Sequence, residues 1–326
     1  MYIIPNGIAA FGSIVNRRFF TAGTALCLTS LAFSRKIRMK GGSAMVQDVF
    51  PCNGAGRWFP ADKAGLQSVV DNFLAQAKVQ SHNPLAVVAP DAGYAYSGAG
   101  AGLAYKALAG HEDIRRVIII GPSHSASFEG VSVLSGFKNY ETPLGLIKID
   151  TDACEALLDK KHFCYKKEAH APEHSVENQI PFIQRALPGA SIVPCVAGFL
   201  FPDDFAEIGA TFRTMLDGKT VIAVSSDFTH YGASFGYVPF AGDIRNNLEK
   251  LDGKAIQKIE AADTAGFLEY IEKTGATICG RIAIGVMCSA IAGMAKGRLL
   301  KYYTSSDDSG DFSHTVCYAS IVMEKV

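Results

Sequence analysis

Short apolar runs that stop abruptly at polar residues punctuate this chain. Val117 to Ile120 runs into Gly121-Pro122 and then Ser123-His124. Four consecutive apolar, mostly β-branched residues predict a strand buried on both faces, and Gly121-Pro122 is expected to end its pairing. Leu85 to Ala89 (LAVVA) runs in the same way into Pro90-Asp91-Ala92-Gly93-Tyr94, and Val221 to Val224 (VIAV) into Ser225-Ser226-Asp227-Phe228-Thr229-His230. In an open α/β sheet, ligands bind beyond the carboxyl ends of the strands. Three polar tips of this kind are therefore expected to meet in one crevice.

Helical stripes alternate with these runs. Leu66, Val69, Val70, Phe73 and Leu74 recur at helical spacing within 64–77, and a run rich in Gly and Ala predicts a helix ending at Leu108. Further strands are predicted over 131–134, 144–149, 192–196, 299–304 and 315–322, with Thr142-Pro143 as a break between the first two. Helices are predicted over 152–158, 203–216 and 284–295. Val176, Ile180, Ile183 and Leu187 mark another, in which Pro181 either kinks the helix or sits in its first turn. The stretch 244–271 reads as mainly helical, interrupted at Gly253 and Gly266. With no repeat and no long linker, the series predicts a single α/β domain over 46–326. Gly100-x-Gly102 lacks the rest of a dinucleotide fingerprint, and no Walker sequence is present.

Composition narrows the partners. The formal net charge is zero, with no block of like charges, which argues against nucleic-acid binding. Eight cysteines (27, 52, 154, 164, 195, 279, 288 and 317) are scattered without a CxxC pair, so neither a disulfide framework nor a zinc ribbon is expected. Residues 1–45 read as an N-terminal extension. Arg17-Arg18-Phe19-Phe20 precedes a mildly apolar run, Thr21 to Phe33, in the manner of a Tat export signal, and the run is too short for a stable membrane span. Arg35, Lys36, Arg38 and Lys40 oppose translocation, and Met39 or Met45 offers an alternative start. Cytoplasmic residence and export to the periplasm both stay open.

The chemistry concentrates in a few segments: Asp91 in PDAGY, His124 in GPSHS, Asp227 and His230 in SSDFTH, and Cys279 in Thr277-Ile278-Cys279-Gly280-Arg281. Glu173-His174-Ser175-Val176-Glu177 adds a histidine and two carboxylates at the mouth of a helix. Imidazole, carboxylate and thiolate are the side chains that bind transition metals, and a mixed set with open positions suits catalysis. Each residue alone reads more readily as a turn former or a hydrogen-bonded structural histidine than as a ligand. Three strand tips carrying the same kind of chemistry favour the metal reading.

The blocks PDAGYAYSG, GPSHS, EHSVENQIPF, SSDFTHYG and ICGRIAIGV, in this order, resemble the MEMO family, also called AmmeMemoRadiSam system protein B, which is similar in structure to class III extradiol dioxygenases. The likeness runs from GRWFPAD at Arg57 to the last strand. It implies a three-layer α/β/α fold of the LigB-like type, with a mainly parallel or mixed sheet and a metal pocket. The family's ligands carry over to His124 and Cys279, and its pocket Asp and His to Asp227 and His230. Its first ligand is a histidine, where this chain has Asp91. Asp91 is then a ligand itself, or His230 joins His124 and Asp91 in a two-histidine, one-carboxylate set, or metal binding is lost. The resemblance implies a divalent transition metal, iron first and copper or zinc after it. Asp227, His230 or His174 would serve as acid or base in an oxidoreductase acting on a small-molecule substrate. It also implies a non-catalytic alternative, a metal-binding scaffold acting with radical-SAM and AMMECR1-like proteins. A zinc-type hydrolase is a further alternative.

Overall fold

Apolar runs without polar alternation belong in the middle of a sheet covered on both faces. The computed structural model describes residues 47–326 and puts them there. In chain order the elements are β1 (Gln47–Phe50), α1 (Lys63–Gln76), β2 (Pro84–Ala89), α2 (Tyr94–Leu108), β3 (Arg116–Pro122), β4 (Val131–Val133), β5 (Phe137–Thr142) and β6 (Gly145–Lys148). Next come α3 (Thr151–Leu158), β7 (Phe163–Cys164), α4 (Lys167–His170), a 3-10 turn (Glu177–Gln179), α5 (Ile180–Ala186), β8 (Ser191–Ala197) and α6 (Asp204–Arg213). The rest is β9 (Thr220–Ser225), β10 (His230–Gly232), α7 (Ile244–Glu260), α8 (Thr264–Thr274), α9 (Arg281–Ile291), β11 (Ala295–Thr304) and β12 (His314–Lys325).

A nine-stranded mixed sheet forms the middle layer, in the order β10-β12-β2-β9-β3-β8-β4-β7, with β11 on the outer side of β12. The strands β2, β9, β3 and β8 run parallel, so the three polar tips read from the sequence leave the sheet side by side. The helices α1, α2 and α5 pack together on one face, and α6, α7, α8 and α9 on the other. This is the three-layer α/β/α arrangement. A separate three-stranded sheet, β1-β5-β6, lies outside it. Among the described residues, no helix is long and apolar enough to cross a membrane. The twin-arginine segment and Cys27 lie outside the described residues.

Three local expectations need correction, and the alternative left open at Pro181 is decided. The strand β3 does not stop at Ile120. Its pairing with β9 ends there, but Gly121 and Pro122 continue to pair β8, opposite Val196 and Ala197. Proline lacks only a donor, and the Pro122 carbonyl accepts the Ser175 hydroxyl at 2.9 Å. The stretch 244–271 breaks at 261–263 rather than at its glycines: Ala262 adopts φ +50°, and Asp263 caps α8 by accepting the Gly266 N–H at 2.9 Å. Pro181 sits in the first turn of α5 and no kink is needed. The strands β1, β5, β7 and β10 were not foreseen, being short or lacking clean alternation.

One buried histidine makes the fold pH-sensitive. His170 accepts or donates at 3.0 Å to the Ser132 hydroxyl of β4, and burial pushes its pKa down from 6.5 to about 4. Between those values the unfolded chain binds a proton that the folded chain refuses, so stability is whole above pH 6.5 and falls as the pH drops towards 4. The full loss corresponds to about 3 kcal/mol. Urea unfolding of wild type and His170→Gln at pH 7 and pH 5 should show the wild type losing about 2 kcal/mol more than the variant over that step.

Candidate functional site

The carboxyl ends of β2 and β9 are fastened to each other by the two aspartates that follow them. The Asp91 backbone N–H donates to Asp227 Oδ1 at 2.9 Å, and the Ser225 hydroxyl donates to Asp91 Oδ2 at 2.8 Å. Two amides from the 3-10 turn lock the same turns. Asn178 Nδ2 donates to the Asp91 carbonyl at 2.5 Å, and Gln179 Nε2 donates to the Pro90 carbonyl at 3.2 Å and to Ser225 Oγ at 2.9 Å. Asp91 is 1% exposed and Asp227 5%. Burial, and then the Asp91 charge, hold the Asp227 carboxyl well above the usual carboxylate range.

Beyond β3, His124 is oriented by Glu173. Its backbone N–H donates to Glu173 Oε2 at 2.7 Å, and its ring Nδ1 meets Oε1 at 2.9 Å. The same carboxylate accepts the N–H groups of His174 and Ser175, each at 3.0 Å. Burial alone would push His124 down, but the Glu173 hydrogen bond and the charges of Asp91, Glu173 and Asp227 bring it up to about 9. Burial would push Glu173 up, and its bonds to His124 and the backbone N–H groups bring it down to about 2. With Nδ1 committed to Glu173, Nε2 is the ring atom left for a ligand.

Cys279 arrives from the turn before α9. Its Sγ accepts the Asp227 N–H at 3.1 Å and stands 3.8 Å from Asp91 Oδ1. Burial, and then Asp91 and Asp227, push this thiol well above its ordinary pKa. Gly280 permits the approach: a Cβ there would overlap the Ser226 side chain and stand 2.6 Å from the Ser225 carbonyl oxygen. His230, opening β10, has its Nδ1 3.0 Å from the Thr277 carbonyl, a geometry that fixes Nδ1–H as the donor. Burial lowers its pKa, so it is neutral at pH 7 with Nε2 free to accept a proton.

His174 is sandwiched between Trp58, stacked at 3.9 Å with the rings 7° apart, and His124, at 4.6 Å. Burial lowers its pKa as well. Trp58 was missed as a site residue in the sequence, where GRWFPAD holds no histidine or cysteine to mark it.

Asp91, Asp227 and Cys279 are in direct contact, and His124 is near enough to feel the charges of Asp91 and Asp227. Among the described residues, the set of potential metal-donor atoms lying within 4.8 Å of one another is that of His124, Glu173 and His174. The second carboxylate of the EHSVE segment plays no part here. Glu177 accepts the Asn53 and Gly54 N–H groups at 3.1 and 2.5 Å, the Cys52 thiol at 3.1 Å and the Tyr140 hydroxyl at 2.9 Å. Cys279 is a free thiol, as are the other described cysteines, and Cys154, Cys195, Cys288 and Cys317 are buried.

The fold and site define an α/β/α protein whose polar crevice lies beyond a parallel strand core. A family model described as Memo-like protein matches residues 51–322. A MEMO1 family protein from Methanopyrus kandleri is 33% identical over 291 residues, covering 83% of this chain and 97% of its own. Protein MEMO1 from Xenopus laevis is 32% identical over 281 residues, covering 82% of this chain and 94% of its own. The chain belongs to the Memo-like family. Among solved structures, an uncharacterized protein from Escherichia coli K12 matches with a TM-score of 0.42 at 14% identity, over 63% of this chain and 85% of its own.

Glu177→Gln should separate architecture from site. Removing a buried charge that holds several donors should cost about 2 to 4 kcal/mol in chemical denaturation, with no change in any metal the protein carries.

Proposed function

We propose that this chain holds a divalent transition metal between Asp91, His124 and Cys279 and acts as a non-heme metal oxidoreductase, with iron as the first candidate. The observation that carries the reading is the 3.8 Å between Asp91 Oδ1 and Cys279 Sγ. Oxygen and sulfur donors bound to one ion at about 2.1 and 2.3 Å, with a near-tetrahedral angle, stand about 3.6 Å apart. His124 does not lie within 4.8 Å of both, so its ring has to move to complete the set, and the further support is chemical. A carboxylate and a thiol buried together, with a second aspartate beside them, form a group whose ionised state a cation would stabilise.

When bound, such an ion supplies a Lewis acid with open coordination positions and, if iron, a redox centre. The rest falls to the chain's own residues. Glu173 fixes the His124 ring so that Nε2 is presented. His230, with Nε2 free, accepts a proton, and Asp227, whose carboxyl burial and Asp91 push up, can hold or give one. His174 is held by its stack on Trp58 and positions the wall beside His124.

A second reading has its own support. The donor atoms of His124, Glu173 and His174 are the tighter cluster, within 4.8 Å of one another. Against it, Glu173 is already engaged by His124 Nδ1 and two backbone N–H groups.

Metal content after purification without oxygen separates the two. Wild type should carry near-stoichiometric iron, Asp91→Ala and Cys279→Ala should lose it, and Glu173→Gln should weaken binding by about 10- to 100-fold. Iron that survives Asp91→Ala and Cys279→Ala but vanishes in Glu173→Gln would transfer the site to the second set. Oxygen uptake by the iron-loaded protein with catechols tests the oxidoreductase part. Its absence across a panel of aromatic diols would overturn that part.

A further inference from the structure

A cavity of about 290 Å³ opens directly against Cys279, between the end of β3 and the start of α9. Its lining divides into two kinds. Pro122, Ala126, Phe128, Phe199 and Ile282 make an apolar wall, and Arg281 supplies a cation. Ser123, which also borders it, immediately precedes His124.

The Arg281 side chain is exposed and within ion-pair distance of no described carboxylate. Glu269 and Glu272 border a neighbouring cavity that Arg281 also touches, yet neither pairs with it. Arg116 holds Asp150 at 2.7 Å and Arg185 holds Asp71 at 2.7 Å, whereas Arg57, beside His174, lies over the Trp58 ring at 5.2 Å and does not line this cavity. A guanidinium offers a planar fork of donors that matches a carboxylate bidentately. Phe199 is 49% exposed and meets Phe201, 56% exposed, edge to face at 5.8 Å. Exposed aromatic side chains at the rim of a cavity suit a flat apolar ligand.

We infer that this cavity is a substrate subsite for a small aromatic carboxylate, its ring against Phe199 and Ile282 and its carboxylate on Arg281. The inference rests on the proposed metal pocket for what happens to the molecule once bound, because Cys279 belongs to both. The binding step itself needs only the cavity and Arg281. One guanidinium balances the charge of a monoanion, and among the described residues no second cation lines the cavity to balance a phosphate dianion.

The test uses the full chain and benzoate as the probe, with titration calorimetry and ligand-observed NMR on protein with and without added Fe(II) under anaerobic conditions. Benzoate should bind, acetate and benzyl alcohol each at least 10-fold more weakly. Arg281→Gln should reduce benzoate affinity about 10-fold or more at unchanged Tm and unchanged metal content, and Phe199→Ala should reduce it about threefold or more. Equal benzoate affinity in wild type and Arg281→Gln would overturn the subsite, as would a 10-fold preference for phenyl phosphate. Benzoate binding that depends on Arg281 in a protein that takes up no iron would sustain the subsite and remove the metal reading.

Discussion

Two carboxylates buried side by side, Asp91 and Asp227, set the terms for the rest of the molecule. Taking like charges out of water is costly, and each lone pair left unmet adds to the cost. The Asp91 N–H and the Ser225 hydroxyl answer part of it, and the amides of Asn178 and Gln179 hold the turns that supply them. The 3-10 turn at 177–179 is therefore fixed to the ends of β2 and β9 before any ligand is considered. Burial and the Asp91 charge push the Asp227 carboxyl up, towards the neutral form in which the repulsion is relieved.

Rigidity in the crevice comes from the same source. The aspartates follow strands with no exposed residue, and Gly280 lets the Cys279 turn rest on Ser225 and Ser226. Functional groups carried on short turns anchored to buried strands are held more tightly than groups on long loops. Glu173 does for His124 what Ser225 does for Asp91: it consumes the hydrogen-bonding capacity that faces the protein and leaves the other atom outward.

The strand tips were legible because an apolar run followed by polar residues has a local cause, and all three adjoin in the sheet. Glu173 and Glu177 show where legibility ended. Both flank the same histidine-serine pair, and no local pattern tells them apart. One reaches the His124 loop, and the other reaches Cys52, Gly54 and Tyr140, so their separation comes from tertiary topology. Trp58 stands far from His174 in sequence, and only folding brings the two rings together. The break between α7 and α8 was placed at glycines, whereas a capping aspartate and a left-handed alanine decide it. A glycine inside a helix costs only about 1 kcal/mol, which packing overrides.

The strand β12 carries a temporal consequence. It pairs β11 along one side, and along the other it pairs β2 through Ile321 to Glu324 and β10 through His314 to Val316. His230 stands opposite Val316, so the strand that carries it has no partner until that segment has been synthesised. A nascent chain that has already made β2, β3, β8 and β9 therefore has one edge of its parallel core uncovered and its His230 turn unanchored. Pairings between residues so far apart in sequence are slow to form and expose strand edges meanwhile. Assembly of the crevice is consequently among the last events in making this protein.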